Sequence, residues 1–107
     1  MSFSNPHAPG VKLDDGKIQA GLLKDFSLAL LEIAKVSTYG AKKYSRGGWQ
    51  HVEDGIARYT DASWRHMLAQ RQEVCDQESG LLHKAHEAWN VLAVLELKLR
   101  KMREETE

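Results

Sequence analysis

Gly80-Leu81-Leu82-His83-Lys84-Ala85-His86-Glu87-Ala88-Trp89-Asn90-Val91-Leu92-Ala93-Val94-Leu95-Glu96-Leu97 is the stretch on which the fold turns. Wound as a helix, it gathers His83, His86, Glu87 and Asn90 within about 100° of one another, and the same face runs on into Val94 and Leu97. From Val91 to Leu97 the segment is apolar around almost its whole circumference. A stripe that begins polar and turns apolar is not an ordinary solvated face. The stretch therefore reads as a helix from about Gly80 to Arg103, with Ser79 as its N-cap. Its polar half lines a cleft or a subunit boundary. Two partner helices in a 107-residue chain do not cover every side of the apolar half. The face of Val94 and Leu97 is therefore expected to meet a second copy, giving a homodimer or higher homo-oligomer.

Working outward, a second helix is expected from Asp54, a candidate N-cap, to Gln72 or Glu73, with Ile56, Met67 and Val74 on its apolar side. A first helix is expected from Gly21 to Tyr44. Leu22, Phe26, Leu30 and Ile33 recur there at helical spacing, while Leu28 and Leu31 lie off that stripe, so the helix reads as buried. Gly40 is a candidate bend, and Ser45-Arg46-Gly47-Gly48 breaks the chain before Trp49 in a loop. Residues 1–20 hold both prolines, Gly10 and Asp15-Gly16, and read as an irregular N-terminal arm. The fold class is all-α: a bundle of three main helices over residues 21–107, preceded by that arm.

Fifteen acidic and fifteen basic residues give a formal net charge of zero, which excludes a general nucleic-acid binder. No apolar run reaches the roughly 20 residues of a bilayer span. The opening MSFSNPHAPG lacks the basic start and apolar core of a signal peptide. A single cysteine, Cys75, forms no internal disulfide and suits a reducing compartment. The expected location is cytoplasmic.

Several residue patterns can carry chemistry. Glu73-x-x-Asp76 sets two carboxylates one turn apart where the second helix ends, a spacing that suits a hard cation such as Mg²⁺; the plain alternative is a solvated helix terminus. Glu32 stands among Leu28, Leu31, Ile33 and Val36 and needs a partner, either a metal ion or Lys35, Lys43 or Arg65. Asp61 and Arg65, four apart, are expected to pair along the helix. His83-x-x-His86-Glu87 has a zinc-like look, but the H-E-x-x-H pattern is absent and satisfied polar histidines are expected instead. A zinc- or manganese-dependent phosphohydrolase built on these histidines would lack the usual His-Asp doublet. The loop from Gly40 to Trp49 mixes lysine, aromatic and glycine; it can hold phosphates and stack on a base, or simply pack a helix end. No Walker loop, dinucleotide fingerprint or nucleophile elbow is present.

Taken in order, Asp15-Gly-Lys17, Leu30-Leu-Glu32-Ile-Ala34, Tyr39-Gly-Ala-Lys-Lys-Tyr44, Gly48-Trp49, Tyr59-Thr-Asp61-Ala-Ser-Trp-Arg65-His66, Glu73-Val-Cys-Asp76-Gln-Glu-Ser79-Gly80, His83-Lys-Ala-His86 and Asn90 carry a resemblance. The chain resembles the domain of phage dATP/dGTP diphosphohydrolases, relatives of the MazG-like all-α nucleoside triphosphate pyrophosphatases. The resemblance covers roughly residues 13–97. It implies a MazG-like bundle that assembles through its helices and hydrolyses a deoxypurine nucleoside triphosphate to monophosphate and pyrophosphate, in phage nucleotide-pool control. It implies Mg²⁺, with Mn²⁺ as the substitute, held by carboxylates of an E-x-x-E and a later E-x-x-D. Glu73 and Asp76 match the second pair; Glu32 matches half of the first, since Lys35 stands where its mate belongs. The third ligand stays open among Glu32, Glu78, His83 and His86. Glu32, Glu73 and Asp76 are the expected metal and catalytic residues. Lys43, Trp49, Arg65, His66, His83, His86 and Asn90 are the expected nucleotide contacts, with Lys43 and Arg65 facing the phosphates. The competing reading is a non-catalytic helical module that binds a nucleotide or a protein.

Overall fold

The computed structural model describes residues 5–106. Residues 5–19 are turns and irregular chain. A 3-10 helix, Ala20–Phe26, leads directly into α1, Ser27–Lys43. A second 3-10 turn, Gly48–His51, carries Trp49 and precedes α2, Gly55–Ala69. A loop over residues 70–82 then delivers the chain to α3, His83–Thr106. Among the described residues there is no strand, only an isolated antiparallel bridge between Cys75 and Leu82. Among the described residues no helix is long and apolar enough to cross a membrane.

The third helix is the spine. It packs most extensively on α2 and less on α1. Gly55 permits the close approach of α2: a Cβ there would meet Leu97 Cδ1 at 3.1 Å. The buried residues of α3 are His83, Ala85, His86, Asn90 and Ala93, so the polar half of the helix faces inward.

Helix boundaries depart from the sequence expectation in informative ways. The second helix stops at Ala69 rather than at Gln72 or Glu73, and Gln72 and Glu73 fold their N–H groups back onto Ala69 O at 2.9 and 3.1 Å. The loop is pinned instead to the start of α3, with Asp76 N–H to Leu81 O at 2.8 Å and His83 N–H to Val74 O at 2.9 Å. Tertiary pairing here overrides local helix propensity. Leu82 is used by the bridge, so α3 begins at His83 and not at Gly80. Asp54 stands at the N-cap of α2 in a left-handed conformation (φ 55°), without a side-chain cap. Gly40 does not interrupt α1.

The largest departure concerns α1, which was expected to be buried. Only Val36 is buried along it, and Leu22, Leu23, Phe26, Leu28, Leu30 and Leu31 are exposed. A helix apolar on several sides needs more than one neighbour, and α3 covers one side. Among the described residues the buried apolar side chains are Val36, Ala85 and Ala93 alone. The chain is elongated, 57 × 35 × 25 Å.

Candidate functional site

Three elements converge at one end of the α2–α3 pair. His66 near the end of α2, Asp76 in the loop and His83 at the start of α3 each bring a donor atom within 4.8 Å of the others. Among the described residues, no other set of three or more His, Cys, Asp or Glu side chains meets that closely. His66 Nδ1 faces His83 Nδ1 at 2.9 Å. His66 also stacks on His86, with ring centroids 4.5 Å apart and planes 11° from parallel.

Ser79 organises the loop around Asp76. Its backbone N–H and its hydroxyl both donate to Asp76 Oδ2 at 2.8 Å, and its Oγ lies 2.7 Å from His86 Nε2. A hydroxyl has one proton to give. Since that proton goes to Asp76, His86 must donate through Nε2, which fixes its tautomer. Burial raises the Asp76 carboxyl, but the two Ser79 hydrogen bonds and the nearby imidazoles outweigh it and hold Asp76 below the usual carboxylate range. Burial depresses His66, helped by His86 and His83; burial likewise depresses His86, against the pull of Asp76. The result is an ionised carboxylate beside imidazoles that stay neutral near neutral pH.

One atom in the cluster is unsatisfied. His83 Nε2 is buried without a hydrogen-bond partner; the nearest carboxylate oxygen, Glu73 Oε1, stands 3.6 Å away. A buried polar atom left unpaired costs roughly 1–3 kcal/mol. An orphaned imidazole nitrogen beside a carboxylate and a second imidazole is a donor set that fits a divalent cation. Two nitrogens and one oxygen suit a borderline ion better than Mg²⁺, which prefers oxygen throughout.

Beside the cluster, one turn back along α2 from His66 and about two turns on along α3 from His83, lies a groove of about 1080 Å³. Trp89 and Asn90 belong to its α3 side, Ser37, Gly40 and Ala41 to α1, and Arg58, Asp61, Ala62 and Arg65 to α2. Tyr44, Arg46 and Trp49 complete it from the connecting loop. Trp49, Tyr59 and Trp89 pack edge to face with centroids 5.6–6.3 Å apart. Tyr59 donates its hydroxyl to Trp49 O at 2.7 Å, and Trp89 Nε1 donates to Ser37 Oγ at 2.8 Å. Neither Arg46, Arg58, Arg65 nor Asp61 forms an ion pair among the described residues. Three guanidinium groups against one carboxylate make the groove electropositive in a chain of zero formal net charge. Asn90 links groove and cluster, donating its amide to His86 O at 2.8 Å.

With that geometry in view, the comparisons with known proteins are specific. A family model described as dATP/dGTP diphosphohydrolase, N-terminal, matches residues 7–107. The chain belongs to this family. A dATP/dGTP diphosphohydrolase of Salmonella phage PMBT28 is 35% identical over 86 residues, covering 79% of the present chain. The matched part is 28% of that phage protein's length. No solved structure matches the chain.

The family member's sequence-expected residues divide into two groups. His66, Asp76, His83 and His86 come together, with Glu73 at the margin, where its Oε2 accepts from Gln77 at 2.8 Å. Trp49, Arg65 and Asn90 line the groove. Glu32 is engaged elsewhere, paired with Lys35 of its own helix at 2.7 Å. Lys43 is held by Glu78 in an ion pair that ties the end of α1 to the Asp76 loop. The Lys43 hydrogen bond, and then that of Tyr39, hold the Glu78 carboxyl below its usual range. The expected Asp61–Arg65 pair does not form, which leaves both side chains to the groove. Ser79, Arg58 and Trp89 were not singled out from sequence as site residues. The only available signal for Ser79 was its place three residues after Asp76, where an Asx-type turn is common.

Proposed function

We propose that the chain binds a deoxypurine nucleoside triphosphate in the groove and hydrolyses it to monophosphate and pyrophosphate, with a divalent cation held by His66, Asp76 and His83. The observation that carries this reading is the placement of a metal-donor cluster about two turns of α3 from a groove lined by unpaired arginines. His83 and Asn90 are separated by about 10 Å of helix rise, within the length of a nucleoside triphosphate. The name of the phage relative supports the purine deoxynucleotide and the reaction.

Each residue has a physical task. Arg58, Arg65 and Arg46 offset phosphate charge, and a guanidinium grips two phosphate oxygens at once. The edges of Trp49 and Trp89 give the base an apolar wall, and Asp61 accepts hydrogen bonds from exocyclic amino or ring N–H groups. Ser79 and His86 keep Asp76 ionised and oriented. When bound, the cation neutralises phosphoryl oxygens and acts as a Lewis acid on the scissile group. Hydrolysis of this kind rests on positioning and electrostatics, so Cys75 has no role in it. The mixed donor set favours Mn²⁺ over Mg²⁺.

A second reading is a nucleotide-binding module without catalysis, favoured by the match to an N-terminal domain that spans 28% of the phage relative. One experiment separates the two. Purified protein is incubated with each dNTP and with Mn²⁺, Mg²⁺ or Zn²⁺, and products are resolved by anion-exchange chromatography. Metal-dependent appearance of a purine monophosphate with pyrophosphate supports catalysis. Binding without turnover supports the module, and absence of both overturns the nucleotide reading.

A further inference from the structure

The groove is lined by a single carboxylate, and its place among the cations is informative. Asp61 lies on α2 with Arg58 three residues before it and Arg65 four after, so the three side chains share one face of the helix. At that spacing an acid and a base pair readily along a helix. Asp61 nonetheless pairs with neither arginine among the described residues. The carboxylate is exposed into the groove with both its oxygens free of ion pairs.

The phosphate end of a nucleotide does not suit this position. Like charges repel, and the phosphates have Arg65 and the His66–Asp76–His83 cluster to neutralise them. Asp61 stands about 7.5 Å of helix rise from His66, on the side away from the cluster. Two residues farther on is Tyr59, with Trp49 and Trp89 packed edge to face against it. From the cluster outward the groove thus presents cation sites, then a carboxylate, then aromatic rings. A nucleotide laid along it with its phosphates at the cluster brings its base to Asp61.

Base chemistry then decides which one. An ionised carboxylate only accepts hydrogen bonds, and does so through two oxygens side by side. Its complement is a base edge with two adjacent N–H donors. Guanine alone among the four DNA bases has that edge, with ring N1–H next to the 2-amino group. Adenine sets the bare lone pair of N1 beside its amino group, and cytosine does the same with N3. Thymine places its one N–H between two carbonyls. Each of these turns an acceptor toward the carboxylate, and such a facing pair disfavours the wrong ligand.

We propose that Asp61 reads the base, its two carboxylate oxygens accepting N1–H and the 2-amino group of guanine, so that the groove selects dGTP over dATP. This assignment rests on the nucleotide reading above and adds to it the base and the side chain that recognises it. Water competes at an exposed carboxylate, so the selection falls short of the roughly 10⁴-fold of a sealed polar site. About 10–100-fold is expected, the effect of one charge-assisted hydrogen bond.

Calorimetric titration in the presence of Mn²⁺ tests this with dGTP, dATP, dITP and dXTP. The hypoxanthine of dITP lacks the 2-amino group, and the xanthine of dXTP has a carbonyl oxygen in its place. The unmodified protein should bind dGTP about 10–100-fold more tightly than dATP, with dITP between them. Asp61→Asn keeps one acceptor and gains a donor, so it should weaken dGTP about tenfold and strengthen dXTP by a similar factor. Asp61→Ala should weaken dGTP without that gain. A merely structural role for Asp61 does not exchange one base for another. Binding of dATP as tight as dGTP in the unmodified protein overturns the proposal and leaves the nucleotide reading standing. So does a dGTP preference that survives both substitutions. Failure to bind either purine nucleotide overturns both.

Discussion

The two ends of this molecule invert the usual rule of burial. Where α2 meets α3, the sealed side chains are mostly polar: His83, His86, Asn90 and Ser63 are buried, and the histidines and their neighbours are organised by hydrogen bonds. Along the 3-10 helix and α1, leucines and a phenylalanine stand in solvent. Polar groups are buried at a cost, and they are kept buried where their geometry is used. Apolar groups left exposed mark a surface made for something else to cover. The first end is held by hydrogen bonds within one chain. The second leaves its apolar side open.

The sharpest way to break this contrast is to remove a donor from the polar end. His83→Ala is expected to lower metal-dependent turnover by more than about 100-fold, beyond the loss caused by an outer-sphere partner. Metal affinity, read by calorimetry, should fall in parallel while helical content stays unchanged. Turnover within tenfold of the unmodified protein would remove His83 from the centre. Ser79→Ala comes next, because it deletes the hydroxyl that joins His86 to Asp76. A drop of roughly 10–100-fold in metal affinity is expected, the range for residues that orient a ligand. An unchanged affinity would show that the backbone N–H of Ser79 suffices.

Arg58→Ala and Arg65→Ala probe the groove between the two ends. Each is expected to raise KM about tenfold, as loss of a charge-assisted hydrogen bond does, with kcat less affected. Arg65→Lys should recover part of that loss. If KM stays put in both alanine variants, the phosphates lie elsewhere. The smallest effect belongs to Glu32→Gln. Its partner Lys35 is half exposed, so stability should change by no more than ~0.5–1 kcal/mol, with metal affinity untouched. A tenfold loss of metal affinity in that variant would bring α1 into the metal site and dissolve the division between the two ends.

The sequence showed the helices more readily than their limits. Periodic apolar residues sufficed to place three helices, and the stripe from His83 to Asn90 betrayed an inward-facing polar surface because it ran into Val94 and Leu97 on the same face. The end of α2 was hidden, since it is set by backbone pairing between Val74 and His83, nine residues apart, and not by any breaker in the chain. Arg58 and Trp89 were hidden for a related reason: the groove joins Trp89 to Ser37 across 52 positions. Composition does not report such a meeting. The exposure of α1 was hidden because an apolar helix reads the same in sequence whether or not its own chain covers it.

The elongation of the single chain has a hydrodynamic consequence. A compact protein with a radius of gyration of 19.1 Å would contain roughly 300 residues. One such extended chain would therefore leave a sizing column well ahead of its true mass, close to where a compact trimer would elute. Elution volume thus overstates the mass of this chain, and mass has to be read directly.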